Sequence, residues 1–289
     1  MPTTSHPRHP RWLRREPPRS EHLGEVRRTL REQRLSTVCE SARCPNRGEC
    51  YGCGTATFMI LGERCTRNCR FCSVPHGDPP PVDKDEPRRL AVAVRRWGLS
   101  YVVATSVTRD DLPDGGAAQF AAVIDAVGAL PGQPPVEVLV PDFAGNPAAV
   151  DDVTEAGPAV FAHNIETVPR LYPRVRPGAD YERSLAVLRR AAANGLTTKS
   201  GLMLGLGEKR HELERVFAEL TTVGVRSLTL GQYLRPTTEQ LPVERYLPPD
   251  EFAELADLAR NAGIDSVLSG PLVRSSYCAA QTYHELSGS

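Results

Sequence analysis

Seven of the eight cysteines in this 289-residue chain are crowded into one short stretch near its amino terminus. Six of them form two triads, an upstream triad with the spacing C-x4-C-x5-C and a downstream triad with the spacing C-x3-C-x2-C. The upstream triad is Cys39, Cys44 and Cys50, and the downstream triad is Cys65, Cys69 and Cys72. Cys53 lies between the triads, and Cys278 lies near the carboxyl terminus. Thiols at this density indicate metal or redox chemistry rather than packing.

Two kinds of metal site compete for these thiols. The pairs at 50–53 and 69–72 have the spacing of a four-thiolate zinc site, which would be structural. That assignment leaves three clustered thiols without a metal and threads the apolar segment 57–61 between the two pairs. An iron–sulfur interpretation uses six of the seven thiols. Because a cubane cluster normally takes four thiolates, a triad leaves one iron open to another ligand.

The strands and helices that must position these thiols are predicted to alternate along the chain. Short apolar runs predict buried strands at 55–61, 101–105, 136–140, 159–162, 197–204, 227–230 and 266–268. Helical patterns lie between them at 87–97, 116–130, 146–155, 181–194, 208–223 and 249–261. This alternation predicts a parallel sheet with right-handed crossovers. Six or seven units favour an open or nearly closed (β/α) barrel over a full eight.

Polar clusters follow most of the predicted strands. They occupy 65–72, 105–111, 141–142, 163–166, 205–208 and 232–233. Since the carboxyl ends of parallel strands meet at one edge of the sheet, these clusters predict a single site at the barrel mouth.

Composition limits the function further. Lys+Arg and Asp+Glu are both 35, so no global basic field suggests nucleic acid. No run approaches the ~20 apolar residues that span a bilayer. The proline- and arginine-rich stretch before residue 20 lacks the apolar core of a secretory signal. We therefore expect it to form a basic, partly extended arm, and we expect the protein to be in the reducing cytoplasm.

The next part of the N-terminal region has two predicted elements. A helix is predicted at 21–35 and an irregular loop at 39–53.

The downstream triad, with Phe71 before its last cysteine, resembles the signature of the radical S-adenosylmethionine superfamily. The spacing of Gly201, Met203, Gly205 and Glu208 resembles that superfamily's adenine-contacting pattern. The resemblance implies a partial barrel and a 4Fe-4S cluster whose open iron chelates S-adenosylmethionine. Reductive cleavage of that molecule yields a carbon-centred radical.

The upstream triad narrows the resemblance to the lipoyl synthase family. Further stretches are similar to that family at 44–46, 54–62, 109–116, 163–168, 175–181, 198–203, 231–234, 241–246 and 269–277. The match covers residues 38 to about 281. It implies an α/β fold, a partial (β/α)6-type TIM barrel with an N-terminal cysteine-rich extension and a short C-terminal segment over the barrel mouth. We therefore expect boundaries at 1–54, 55–270 and 271–289.

The family resemblance implies a sulfurtransferase that inserts sulfur at C6 and C8 of an octanoyl chain on a carrier lysine. It implies two 4Fe-4S clusters, the upstream one serving as sulfur donor, and two S-adenosylmethionines per lipoyl group. The implied partners are octanoylated lipoyl-carrier domains of 2-oxoacid dehydrogenase acyltransferase subunits and of the glycine-cleavage carrier protein. A ferredoxin- or flavodoxin-type electron donor is also implied, with no nucleic acid, no membrane and a monomeric chain. Two alternatives remain, a paralogue or other radical sulfur-insertion enzyme, and a structural zinc or iron–sulfur interaction protein.

The resemblance also implies the fourth ligand of the upstream cluster, a serine of the Arg-Ser-Ser-Tyr motif at 274–277. We assign it to Ser276, with Ser275 as the alternative. A hard oxygen ligand leaves iron more readily than a soft thiolate, which suits a cluster that gives up its sulfur. Cys53 and Cys278 depart from the family pattern. Two interpretations remain for these thiols. Either one competes with Ser276 for the open iron of the upstream cluster, or neither binds iron.

Other polar residues have a cofactor role and a structural alternative. Thr105 and Ser106 would orient the methionine moiety, or cap the next helix. Asn164 and Glu166 would hold ribose or substrate, with Glu166 alternatively a first-turn helix acid.

Five further residues have predictions of the same kind. Lys199 would contact cofactor or substrate, or form an interior ion pair. Gly205 and Glu208 would contact the adenine, or form a tight turn. Arg174 and Arg176 would meet the acidic carrier domain, or be solvated.

Overall fold

The computed structural model describes residues 10–14, 22–41, 44–52 and 56–288, with the side chains at 22, 23 and 52 left aside. Cys53 and most of the N-terminal arm therefore lie outside the described residues, and the predictions made for them stay predictions. None of the described helices is long and apolar enough to cross a membrane.

Eight strands form one sheet in strictly sequential order within the described residues. The strands are β1 (Ser36–Thr37), β2 (Thr57–Ile60), β3 (Val102–Ser106), β4 (Val136–Leu139), β5 (Val160–Ala162), β6 (Thr198–Leu204), β7 (Val225–Gln232) and β8 (Ser266–Gly270). Strand β1 pairs with β2 antiparallel, and β2 through β8 are parallel. Since β1 and β8 are the two edges, the sheet is an open barrel.

Six of the described helices connect consecutive parallel strands. The helices are α1 (His22–Glu32), α2 (Val38–Ser41), α3 (Arg47–Gly52), α4 (Glu86–Trp97), α5 (Ala117–Gly128), α6 (Pro147–Glu155), α7 (Tyr172–Val175), α8 (Tyr181–Ala193), α9 (Arg210–Thr222), α10 (Pro249–Asn261) and α11 (Ala279–Ser287). The connecting helices are α4, α5, α6, α8, α9 and α10. Six strand–helix units followed by a seventh parallel strand confirm the predicted partial (β/α)6 barrel.

The core lies between the strands and this outer layer of helices. Strand β2 is buried at every position, which follows from coverage on both faces and explains its continuous apolar sequence. Leu90 and Phe120 of α4 and α5 pack in one cluster with the early strands, and Phe217 and Phe252 of α9 and α10 pack in a second cluster with the late strands. These helices hold the strand ends, and hence the site, in place.

Three predictions about the extensions were wrong or incomplete. The loop predicted at 39–53 contains the short helices α2 and α3, whose apolar pattern is too short to show a period. Strand β1 is only two residues long and was missed for the same reason. Helix α11 was missed because only Ala279 and Thr282 of it are buried. The Tyr283 ring lies 5.5 Å from that of Tyr101, just before β3.

Candidate functional site

The downstream triad lies on a closed loop after β2. The Cys65 amide donates to the Pro75 carbonyl at 2.9 Å, and the Gly77 amide donates back to the Cys65 carbonyl at 3.0 Å. The segment after β7 covers this loop, because the Gln240 side chain donates to the Cys72 carbonyl at 3.1 Å. The three thiols are therefore presented from one anchored loop at the carboxyl edge of the sheet.

Backbone amides lie close to two of the three sulfurs. The Val74 amide lies 3.4 Å from Cys72 Sγ, and the Thr108 amide lies 3.3 Å from Cys65 Sγ. Burial, together with the charges of the neighbouring Cys69 and Cys65 thiolates, raises the pKa of Cys72 to about 12. Such thiols ionise when a metal replaces their protons, and N–H···S bonds tune the metal that they hold. The donor set thus fits an iron–sulfur cluster.

Arg67 fastens this loop to two neighbouring strand ends. Its Nε and Nη2 atoms contact both oxygens of Asp110, after β3, at 2.8 and 2.7 Å. Its Nη1 and Nη2 atoms contact Asp142, after β4, at 2.8 and 2.7 Å. The Arg67 side chain is 9% exposed and that of Asp142 is 0% exposed. Burial opposes ionisation of Asp142, but Arg67 outweighs it and lowers the pKa of that carboxyl. We call these contacts the Arg67 clasp.

We expect Arg67→Ala to destabilise the protein by about 3–5 kcal/mol, since it leaves the buried Asp142 carboxylate without its closest cation. The groups that remain are the Ala144 amide, at 3.1 Å, and Arg183, at 3.5 Å. Iron per chain should fall toward about four atoms, because the loop that carries one cluster loses its anchor. Anaerobic unfolding and iron analysis measure both effects.

The control is Arg70→Ala, which removes an exposed arginine of the same loop. Because the Arg70 amide, which donates to the Val175 carbonyl at 2.9 Å, is kept by alanine, this variant should behave like the parent. Equal losses in both variants would contradict the clasp. The clasp should also weaken in acid, because its stabilisation is complete above the ordinary aspartate pKa and is lost as the pH falls through the lowered pKa of Asp142.

Several buried polar atoms at the mouth lack partners among the described residues. They are Ser106 Oγ, His163 Nε2, Asn164 Oδ1 and Arg176 Nε. Buried polar atoms are normally hydrogen-bonded, so this group indicates a place for a polar ligand. Ser106 and Asn164 were both predicted here. Thr105 was also predicted, but its hydroxyl donates to the Leu139 carbonyl at 2.9 Å within the sheet.

The Asn164 side chain links several residues at the barrel mouth. Its Nδ2 atom donates to Glu166 Oε1 at 3.1 Å and to Ser275 Oγ at 2.8 Å. A Cβ atom on Gly201 would lie 2.8 Å from Asn164 Oδ1, so glycine at that position leaves room for the amide. Burial raises the pKa of Glu166, which has the positive backbone φ of 65°. Strained backbone of this kind concentrates at functional sites.

Glu208 and Arg176 have clear structural roles. The Glu208 carboxylate accepts from the amides of Gly205 at 2.6 Å and Leu206 at 2.9 Å, so both oxygens hold the turn after β6. Contact of Gly205 and Glu208 with adenine stays a prediction. Arg176 is buried and donates to the Asn164 and Ile165 carbonyls, so its predicted contact with a carrier surface is wrong. Arg174 is exposed and pairs with Glu244 at 2.8 Å.

Lys199 forms the interior ion pair that the sequence left open as its alternative. Its Nζ atom lies 2.9 Å from Glu137 Oε1, and both side chains are 2% exposed. The Tyr101 hydroxyl donates to the other oxygen of Glu137 at 3.0 Å. Lys199 is the second residue of β6, so it lies near the amino end of the strand, opposite the mouth.

Lys199→Met is therefore expected to lower the free energy of unfolding by about 3–5 kcal/mol, since Glu137 would be left buried and unpaired. Adding Glu137→Gln should recover most of that loss because no buried charge remains. The exposed Lys84→Met is the control, and chemical denaturation under nitrogen is the measurement. Unchanged stability with a raised KM for S-adenosylmethionine would instead support the cofactor role.

The upstream triad lies on and between α2 and α3. The Cys44 amide donates to the Cys39 carbonyl at 3.0 Å, and the Cys50 amide donates to the Asn46 carbonyl at 2.9 Å. Burial, together with the charges of Cys39, Cys44, Glu49 and Cys278, raises the pKa of Cys50 to about 12. The charge of Cys44 is also among the causes that raise the pKa of Cys39, so these thiols form a second group.

The segment 271–278 joins the mouth to the upstream triad. The Asn46 side chain donates to the Leu272 carbonyl at 2.6 Å, and the Tyr277 hydroxyl lies 3.0 Å from Glu49 Oε1. A Cβ atom on Gly231, at the end of β7, would lie 2.2 Å from the Val273 carbonyl oxygen, so the segment rests directly on the barrel. Asn46 Oδ1 is buried without a partner among the described residues.

The thiols are not grouped in the way that the zinc site would require. Zinc would join Cys50 to Cys69 and Cys72, whereas Cys50 interacts with its own triad and Cys72 with Cys65 and Cys69. Within the described part of the chain, no three His, Cys, Asp or Glu side chains converge on a single-ion site. A cubane spreads its ligands over four irons, so its thiols lie further apart than the ligands of one ion.

Sequence reasoning did not assign the roles of three residues of this site. Arg67 carried no signal beyond its place inside the downstream triad, and Asn46 none beyond the motif that contains it. Asp142 was included in a polar cluster after a predicted strand, but its partner could not be named.

Comparisons with known proteins give related sequences and related folds. The Radical SAM superfamily pattern matches residues 59–220. The lipoyl synthase of Nitrosococcus oceani is 53% identical over 281 residues, covering 96% of this chain and 87% of that protein. The lipoyl synthase of Caldanaerobacter subterraneus subsp. tengcongensis is 52% identical over 274 residues, covering 94% of this chain and 96% of that protein.

Solved structures share the fold at low sequence identity. SuiB of Streptococcus suis bound to S-adenosylmethionine has a TM-score of 0.59 at 9% identity, covering 73% of this chain and 49% of that chain. Methylornithine synthase (PylB) has a TM-score of 0.52 at 16% identity, covering 86% of this chain and 82% of that chain. These likenesses support the barrel alone.

Proposed function

The chain belongs to the lipoyl synthase family of radical S-adenosylmethionine enzymes, and on this premise we propose that it inserts sulfur at C6 and C8 of an octanoyl chain on a carrier lysine. The main support for this proposal is the position of one segment between the two groups of thiols. The segment 271–278 contacts both the barrel mouth, through Ser275 and Asn164, and the upstream triad, through Tyr277 and Glu49. A radical made at the mouth and a sulfur source at the upstream triad would thus share one space.

The two triads have separate tasks in this proposal. Cys65, Cys69 and Cys72 would hold the cluster that binds S-adenosylmethionine, and Cys39, Cys44 and Cys50 with Ser276 would hold the second cluster. When bound, these groups would supply the radical that breaks unactivated C–H bonds and the sulfur that replaces hydrogen. The Val74 and Thr108 amides would offset the charge of the downstream sulfurs.

Ser276 is favoured over Ser275 by the hydrogen bonds of the pair. Ser275 Oγ is held by Asn164 Nδ2 at 2.8 Å. The Ser276 hydroxyl has no hydrogen-bond partner in the described ranges, although Tyr277 beside it is tied to Glu49. A hydroxyl left open beside the upstream triad fits an iron ligand better than one already engaged.

Residues of the mouth would bind the S-adenosylmethionine and exclude water. Ser106, Asn164 and Arg176 present the unpartnered polar atoms, and the buried Glu166 is held by Asn164. The exposed rim would receive the carrier domain and a ferredoxin- or flavodoxin-type donor. The proposed functional units are residues 1–54, 55–270 and 271–289. Two molecules of S-adenosylmethionine would be used for each lipoyl group.

The test is an anaerobic incubation of the purified enzyme with S-adenosylmethionine, dithionite and an octanoylated carrier peptide. We expect the peptide to gain the mass of two sulfur atoms as a dithiol, and to lose two hydrogens only when that dithiol is later oxidised to the ring disulfide. Metal analysis should give about eight iron and eight sulfide per chain. A zinc-bound, colourless protein, or a peptide without added sulfur, would overturn the proposal. An unmodified peptide with intact cleavage of S-adenosylmethionine would point to a paralogue with another acyl carrier.

A further inference from the structure

We propose that Trp12 and the two arginines beside it form a docking surface for the carrier domain that brings the octanoyl-lysine to the barrel mouth. The inference rests on the proposed function, because a carrier domain is needed only if the acylated lysine is the substrate. It adds a place on this chain for that domain and a chemistry for the contact, which is an acidic surface with an apolar centre. We call Arg11, Trp12 and Arg14 the arm patch.

The Trp12 side chain is exposed although its segment is held in place. It lies on one short helical turn, Arg11–Leu13, and Trp12 is 41% exposed. Its indole Nε1 donates to the Leu247 carbonyl at 3.1 Å, and Leu13 beside it is buried. Single exposed apolar residues are common, but the part of the chain that the structure describes has no other large apolar side chain as exposed as this one. Since the ring is already anchored, little side-chain entropy would be lost when it contacts a partner.

Hydrogen bonds join the arm patch to the wall of the barrel mouth. The Leu247 amide donates to Gln232 Oε1 at 2.9 Å, and Gln232 Nε2 donates to the Leu204 carbonyl at 2.9 Å. Gln232 ends β7 and Leu204 ends β6, so these contacts lead from Trp12 to the carboxyl edge of the sheet. The acylated lysine must enter at this edge to reach the site, so the domain that bears it must rest on the surrounding rim.

The residues around Trp12 have the composition of a protein interface. Arg11 and Arg14 are exposed on either side of it in the chain, and the prolines at 248–249, which directly follow its hydrogen-bond partner, are exposed as well. Tryptophan and arginine are the residues most enriched where binding energy concentrates, usually as a large ring surrounded by polar groups. This surface therefore fits a protein partner better than a small molecule.

The charges of the rim favour an acidic partner. The neighbouring rim arginines Arg245 and Arg174 are already neutralised, by Glu251 at 2.6 Å and by Glu244 at 2.8 Å. The arm patch adds two exposed guanidinium groups to these pairs, and Arg11 has no ion pair within the described residues. Carboxylates on the carrier domain would speed its encounter with the rim and fix its orientation there.

Two octanoylated substrates separate docking from chemistry. One is an intact carrier domain, the other is a short peptide around the acylated lysine, and dithionite reduces the enzyme in both assays. Trp12→Ala should lower kcat/KM for the domain by about 30-fold, as expected for a hot-spot residue, and leave kcat/KM for the peptide unchanged. Trp12→Phe, which keeps a ring but loses the N–H, should give a smaller loss. Calorimetry without S-adenosylmethionine should show the same order of Kd values for the domain.

A second variant tests the charge of the arm patch. Arg11→Glu combined with Arg14→Glu should raise the Kd for the carrier domain, and the difference from the parent should shrink as salt is added, because salt screens exposed charges. The control is Arg95→Glu combined with Arg189→Glu, which changes the charge equally. These exposed arginines lie near the carboxyl ends of α4 and α8, on the side of the barrel opposite the mouth, so the control should bind the domain like the parent.

Three results would overturn the inference. Equal losses with the domain and the peptide would show that Trp12 only supports the mouth. Unchanged binding of the domain by both arm-patch variants would show that the carrier docks elsewhere. A parent that sediments as a dimer, and becomes monomeric in Trp12→Ala with carrier binding unchanged, would assign the surface to a second copy of this chain. A parent that adds no sulfur to either substrate would instead refute the proposed function. Circular dichroism confirms that each variant is folded.

Discussion

Replacing Cys69 with alanine is expected to abolish both cleavage of S-adenosylmethionine and sulfur insertion. Cys69 is one of three thiols on the anchored loop after β2, and its pKa is raised by burial but lowered by the nearby Arg176 cation. With only two thiols left, the loop cannot hold a cubane with one open iron. Since loss of an outer partner of a metal ligand already costs ~10–100-fold, loss of the ligand itself should exceed about 100-fold. Chromatography of 5′-deoxyadenosine measures the cleavage.

The matched control is Cys39→Ala in the upstream triad. It removes one thiol, that of the buried Cys39, from the other group. If the triads have separate tasks, this variant should still cleave S-adenosylmethionine but transfer no sulfur to the peptide. Loss of cleavage in both variants, with each one folded, would contradict the division of labour between the triads.

Replacing Ser276 with cysteine is expected to keep both clusters and lose sulfur insertion. The hydroxyl of Ser276 has no hydrogen-bond partner within the described residues, whereas Ser275 is engaged by Asn164 at 2.8 Å. A thiolate in place of the serine oxygen would bind iron more tightly and be displaced more slowly. Iron should stay at about eight per chain, while the sulfur gained by the peptide falls by at least roughly 100-fold.

Ser275→Ala supplies the comparison. It removes the neighbouring hydroxyl and the acceptor of the Asn164 amide, so it should perturb the mouth and raise the KM for S-adenosylmethionine without removing iron. Full sulfur transfer by Ser276→Cys would refute the need for a labile oxygen ligand. Full transfer by Ser276→Cys together with iron loss in Ser275→Ala would move the ligand assignment to Ser275.

The sequence predicted the barrel and its strand ends because both depend on local patterns. Buried parallel strands have continuous apolar runs, and the helices between them have their own period and end signals. Strand β6, predicted at 197–204, spans Thr198–Leu204, and α10 has the predicted bounds Pro249–Asn261. The pattern failed where elements are short or weakly apolar, as in β1, α2, α3 and α11.

The two cysteine triads were determined by the sequence alone, because each lies within a few residues and spacing by itself limits what the thiols can bind. The partners of charged residues were decided by the tertiary structure. Lys199 pairs with Glu137 and Arg67 with Asp142, and neither pairing has a local signal. The contact of Tyr277 with Glu49 joins residues 228 positions apart. Such pairs depend on strand order and on how the terminal segment folds back, and a periodic pattern contains neither.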